Sequence, residues 1–186
     1  MKKLFRPYLA ILLAGSLTLA VSACGGGDDP KPIVEEQEEI TTVQISLVPE
    51  GKGQNVTATF SDPDGVGGAD PVVDALNLAP NTVYKGTITL KDESKTPVED
   101  MTAEVKTEGD EHELFFNVTG ANLTVTKTDL DSNNRPIGLE ATFETAATSS
   151  GTLRVTLKHQ PNLKGATSDI TKGETDVQVD FPVVIQ

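Results

Sequence analysis

Two histidines, one cysteine and several close-set carboxylates are the residues of this 186-residue chain that could do chemistry. His112 lies in Gly109-Asp110-Glu111-His112-Glu113, and His159 in Leu157-Lys158-His159-Gln160-Pro161. Imidazole nitrogen together with carboxylate oxygen suits zinc or another divalent metal, so His112, His159, Glu111 and Glu113 form one candidate ligand group. Two histidines are also enough to supply the axial ligands of haem. Both expectations require positions 112 and 159 to meet in space. The plain alternative is two unrelated surface histidines on an acidic protein.

A second group is Asp62-Pro63-Asp64-Gly65 with Asp70 following. Asp62, Asp64 and Asp70 could converge on calcium, which needs six to eight oxygens, more than three carboxylates supply alone. Asp and Gly also suit an ordinary acidic turn. A third stretch, Asp129-Leu130-Asp131-Ser132-Asn133 with Glu140 at the twelfth position, has the spacing of a helix–loop–helix calcium loop. Asn134 stands where that loop needs its glycine and Pro136 follows, so a polar hairpin loop is expected instead.

Cys24 is the only cysteine. It follows a basic start, Lys2-Lys3-Leu4-Phe5-Arg6, and an apolar run from Leu9 to Val21 that suits a signal-peptide core. Val21-Ser22-Ala23-Cys24 resembles the bacterial lipobox, in which small residues admit the processing peptidase and the thiol receives lipid. Residues 1–23 are therefore expected to be a signal peptide and Cys24 the lipidated anchor of an exported protein. The acidic, glycine-bearing stretch 24–39 cannot bury apolar area and reads as a flexible tether. Removing residues 1–23 takes away Lys2, Lys3 and Arg6 and no acid, so the formal charge of −13 becomes −16. A surface this acidic repels nucleic acid and anionic headgroups, and leaves the lipid as the link to the membrane.

Enzyme motifs are missing from the sequence. It has no Gly-x-Ser-x-Gly, no His-Glu-x-x-His and no second cysteine. With no tryptophan and few aromatics, a sugar-cleaving cleft is disfavoured.

The elements that must position these residues read as strands. Val43, Ile45 and Leu47 alternate with polar residues, as do Val56, Ala58 and Phe60. Stretches 84–90, 114–118, 123–128, 137–143, 153–157 and 177–185 follow the same period of two, which marks half-buried antiparallel strands. Turn residues at 50–53, 132–134, 149–151 and 172–173 separate them. Thr96 before Pro97, with Val98, Met101 and Val105 at helical spacing, predicts one short helix over 97–106. About eight strands at this spacing predict an all-β fold: an antiparallel, immunoglobulin-like β-sandwich over 40–186, with a small β-barrel as the alternative.

Thr59-Phe60-Ser61-Asp62-Pro63-Asp64-Gly65, Tyr84-Lys85-Gly86-Thr87-Ile88-Thr89-Leu90, Asp110-Glu111-His112-Glu113 and Leu153 to Pro161 resemble a family of small lipoproteins from flavobacteria, within the Bacteroidota. Some members carry a type 1 periplasmic binding fold label, which would imply alternating strands and helices. One helix among many alternating strands favours the all-β reading. The resemblance implies outer-membrane attachment, and the acidic start after Cys24 resembles surface-export signals of that phylum. Both the surface and the periplasmic face are compatible with the anchor. The expected function is a non-enzymatic binding lipoprotein, one form of which is accessory to an outer-membrane uptake receptor. A structural envelope protein without a small ligand and a metal- or haem-binding lipoprotein are the alternatives.

Overall fold

The structure, a computed structural model, describes residues 38–65 and 67–186. The expected signal peptide over 1–23, Cys24 and the part of the expected tether up to residue 37 lie outside the described residues. The order of elements is β1 (Thr42–Pro49), β2 (Val56–Ser61), β3 (Val72–Val73), β4 (Leu76–Leu78), β5 (Val83–Asp92), β6 (Glu99–Asp100), α1 (Met101–Thr107), β7 (His112–Thr119), β8 (Leu123–Lys127), β9 (Glu140–Thr145), β10 (Ser149–His159) and β11 (Glu174–Ile185).

Two sheets result. One runs β3-β2-β1-β5-β9-β8, with β6 also pairing β5; the other runs β4-β11-β10-β7. Each sheet keeps two free edges, so the fold is an open sandwich and not a barrel. The period-two pattern explains the core. Ile45, Leu47, Ile88, Leu90 and Phe143 project from the first sheet, and Leu114, Leu153, Leu157, Phe181 and Ile185 from the second, all essentially buried. Burying a side chain of this size contributes about 1.5–3 kcal/mol, which makes the face of each strand a strongly specified choice.

Three expectations change in detail. The pair β4–β11 is parallel, whereas every other pairing is antiparallel. The helix begins four residues later than expected, because Glu99 and Asp100 pair with Asp92 and Lys91 on β5. Asp100 rather than Thr96 caps it, its side chain accepting from Thr102 N–H at 3.0 Å. Met101 and Val105 face the core as the spacing implies, while Val98 is exposed. Finally, 149–151 is not a turn but the start of β10, where Ser149 to Gly151 pair with Ile185 to Val183. Gly151 is needed there because a Cβ would lie 2.2 Å from the carbonyl oxygen of Thr119.

Candidate metal centre

Strands β7 and β10 are paired so that His112 and His159 lie directly opposite. Leu114 and Leu157 form the next inward-facing pair, so the two imidazoles extend the core column to the end of the sandwich. Their rings stack with centroids 4.6 Å apart and planes 8° from parallel. The structure thus brings the two histidines together. It also corrects the way they were expected to act. The ligating lone pair of an imidazole lies in its ring plane, so an ion in the plane of one stacked ring stands a ring spacing away from the plane of the other. A shared metal ion does not fit this pair, and neither does haem, whose two axial nitrogens must face each other through the iron.

Each histidine has its own surroundings. His112 is fully buried, and its Nδ1 lies 3.2 Å from the carbonyl oxygen of Glu108, the C-cap of the helix that leads into β7. A carbonyl only accepts, so Nδ1 carries the proton and Nε2 keeps its lone pair. That Nε2 has no hydrogen-bond partner among the described residues. It stands 3.6 Å from Glu38 Oε1 and 4.0 Å from Asp176 Oδ2. His159 is slightly exposed and its Nε2 lies 3.6 Å from Glu111 Oε2, so that carboxylate serves the outer ring.

Glu113 does not belong to the centre. Alternation turns it to the opposite face of β7, where it bonds Lys127 and Ser168. Two carboxylates that were not expected take its place. Glu38 falls in the stretch read as tether, yet its side chain is nearly buried, and Ile40 beyond it enters the core. Asp176 looks like one more polar position in an alternating strand. The β10–β11 register passes from Leu157↔Val177 to Lys158↔Thr175, leaving Asp176 unmatched in a bulge. Its side chain is buried, unlike the exposed Gln178 and Asp180. Glu38, Glu108 and His112 have ligand atoms within 4.8 Å of one another, with Glu108 at the exposed rim.

Burial sets the electrostatics. It pushes the Glu38 carboxyl up to about 7, with Glu104, Asp176, Glu108 and Glu99 adding repulsion. It raises Asp176 to about 6, against the pull of His159 and Lys158. Burial, reinforced by His159, holds the His112 imidazole down at about 4. The two carboxyls are therefore the groups of this cluster that titrate near neutrality.

The calcium candidates part company. Asp64 is exposed and accepts from its own loop, at Ala69 N–H, 2.8 Å. Asp70 is exposed on the same loop. Asp62 instead joins Glu38, Glu39 and Asp176 in lining a cleft of about 460 Å³. At the other acidic loop, Asp129 accepts from Gly138 and Leu139 N–H, and Asp131 from Asn133 and Arg135 N–H. Asn134 takes the left-handed conformation there, so that stretch is the polar loop its sequence implies.

No family model matches this chain, and no curated protein or solved structure matches it either.

Proposed function

We propose that this chain is a lipid-anchored, non-enzymatic binding protein of the outer membrane that receives a cationic ligand at its acidic end. The observation that carries the reading is the clustering of unsatisfied polar atoms there. His112 Nε2, Glu38 Oε2 and both Asp176 carboxylate oxygens are buried without a hydrogen-bond partner among the described residues. An unsatisfied buried group costs about 1–3 kcal/mol, so a fold that keeps four in one place favours an occupant that satisfies them. Negative charge from Glu104, Glu108 and Glu99 around Glu38 selects a cation.

The lipobox at Cys24 and the acidic stretch after it support the anchor, as does the resemblance to flavobacterial lipoproteins. Position on a tether suits a module that hands its ligand to, or takes it from, an outer-membrane receptor. Either face of the membrane serves this role. The missing motifs of hydrolases and phosphate-binding enzymes favour binding over catalysis.

Native mass spectrometry of the protein extracted from its own membranes in mild detergent tests the reading. The expected spectrum shows a lipid-modified Cys24 and a low-mass ligand that leaves on mild acidification. An unmodified Cys24 with an intact leader overturns the anchor. A ligand-free chain that binds no metal ion, organic cation or haem on titration overturns the binding role.

A further inference from the structure

Resting on that reading of the acidic end, we propose that Glu38, His112 and Asp176 together bind one divalent transition-metal ion, zinc(II) or an ion of similar softness, with the remaining coordination positions open to water or a small ligand. The donor set is one imidazole nitrogen and two carboxylates, carried by the lead-in to β1, the start of β7 and the bulge of β11.

Four features point to a metal rather than to a solvated acidic pocket. The first is the orientation of His112. Its Nδ1–H is held by the Glu108 carbonyl, which fixes the ring and aims a bare Nε2 at the two carboxylates. Ligating histidines are held in this way, the second nitrogen donating to a carbonyl or carboxylate.

The second is burial without partners. The His112 and Asp176 side chains are completely buried, and the Nε2 and both Oδ atoms have no hydrogen-bond partner among the described residues. Two other buried carboxylate oxygens without a hydrogen bond stand beside a lysine, Asp131 Oδ2 at 3.1 Å from Lys164 Nζ and Asp92 Oδ2 at 3.3 Å from Lys95 Nζ, whereas Asp176 has no lysine or arginine at that range among the described residues.

The third is spacing. Donors about 2.0–2.2 Å from a tetrahedral ion lie roughly 3.4 Å from one another. The separations from Nε2 are slightly wider, 3.6 Å to Glu38 and 4.0 Å to Asp176; Asp176 stands outside the group of Glu38, Glu108 and His112 whose ligand atoms lie within 4.8 Å of one another, so its carboxylate must rotate toward Glu38 to close the set. The fourth is charge. The lysine nearest Asp176, Lys158, is already engaged by Gly173 O and Thr175 Oγ1 at 2.9 and 3.0 Å. Lys158 and His159 pull on Asp176 from a distance, but no described lysine or arginine forms an ion pair with it, and a dication supplies that direct partner.

The choice of ion follows from the ligands. A nitrogen donor and only two carboxylates leave calcium short of its six to eight oxygens. The same set suits zinc with one or more waters, and copper(II), nickel(II), cobalt(II) or manganese(II) as competitors set by availability. Asp62 and Glu39, across the cleft, are placed to receive the waters or the small ligand that complete the shell.

The test titrates zinc(II) into the detergent-solubilised lipoprotein after chelator treatment, read by calorimetry and native mass spectrometry. One zinc per chain is expected, with no binding of calcium or magnesium at the same concentrations. Glu38→Gln and Asp176→Asn keep the shape of each side chain and should each weaken zinc at least tenfold. Asp64→Asn, on the neighbouring acidic loop, should leave it unchanged. His112→Ala should abolish binding; circular dichroism shows whether it folds, and the other two variants decide the matter if it does not.

Zinc absent from a folded wild-type chain, or bound equally by Glu38→Gln and Asp176→Asn, overturns the metal centre. If zinc and its transition-metal competitors fail while an organic cation still binds, the metal proposal falls and the binding role stands. If nothing binds, both fall.

Discussion

Asp176 reaches within 4.0 Å of the Nε2 of His112 because the ladder between β10 and β11 skips it. Without the bulge, the residue would stand beside Gln178 and Asp180 on the solvent face, and the Nε2 of His112 would face Glu38 without a second buried carboxylate. One unpaired residue in a strand thus converts a capped core column into a cluster with ligating geometry. Bulges often sit beside functional sites for this reason, since they re-aim one side chain without disturbing the rest of the ladder.

That cluster should destabilise the metal-free protein. Between pH 4.5 and about 7 the folded Glu38 binds more protons than the unfolded one, so stability falls as pH rises through that window. Asp176 acts in the same direction between 3.8 and about 6. His112 opposes them: its lowered pKa removes stability as pH falls from 6.5 toward about 4. Glu38→Gln and Asp176→Asn should therefore each stabilise the chelator-treated protein at pH 8, by about 1–3 kcal/mol. Urea unfolding at pH 8 and pH 5 checks this, with the gain smaller at pH 5. Destabilisation at pH 8 would contradict the account.

Metal affinity should follow the carboxyls and not an ordinary imidazole. Both must lose their protons to ligate, so zinc binding should strengthen about tenfold per pH unit between pH 6 and 7, more steeply below 6, and level off above 7. Calorimetry across pH 5 to 8 gives the profile. A curve independent of pH over that range would contradict protonated carboxyls at the site.

Gly151→Ala should cost about 1–3 kcal/mol by overpacking. The added methyl meets backbone, the Thr119 carbonyl and the Ala121 N–H group, and not a side chain that can swing away. Thermal unfolding measures it, and a loss under half a kilocalorie would mean the two strands can separate locally.

Asp129→Ala should loosen the loop before β9. Its two oxygens accept from Gly138 N–H at 2.8 Å and Leu139 N–H at 3.0 Å, and truncation strands both donors. The expected cost is about 1–3 kcal/mol. Hydrogen exchange at these two amides should accelerate ahead of the rest of the sheet.

Cys24→Ala should move the protein from the membrane fraction to the soluble fraction after cell lysis. A chain that stays membrane-bound without this thiol would remove the lipid anchor from the proposal.

The two-sheet fold was legible because its cause is local. Alternation at positions such as 43, 45 and 47 reports which face of a strand is apolar, and burial of that face fixes the sandwich. The short pieces were not legible. Leu76-Asn77-Leu78 alternates like any strand, but three residues hold too little pattern to show that they pair with β11, or in which direction. The site was half legible. His112 and His159 stood out as rare residue types, and their flanking Glu111 was found. Glu113 was grouped with His112 by closeness in sequence, although a period of two sends neighbours to opposite faces. Glu38 was hidden by composition, since an acidic run beside proline reads as solvated chain. Asp176 was hidden because a bulge leaves no mark in an alternating pattern.

Glu38 stands just before the first strand and Asp176 within the last. The site is therefore a property of the finished chain: no fragment lacking β11 contains it, and none of its three side chains is close in sequence to another. A polypeptide that crosses a membrane unfolded must arrive without its ion and acquire it on the far side. Under the proposed export and metal binding, occupancy would report the metal content of the compartment where the chain completes its fold, not of the one where it was made.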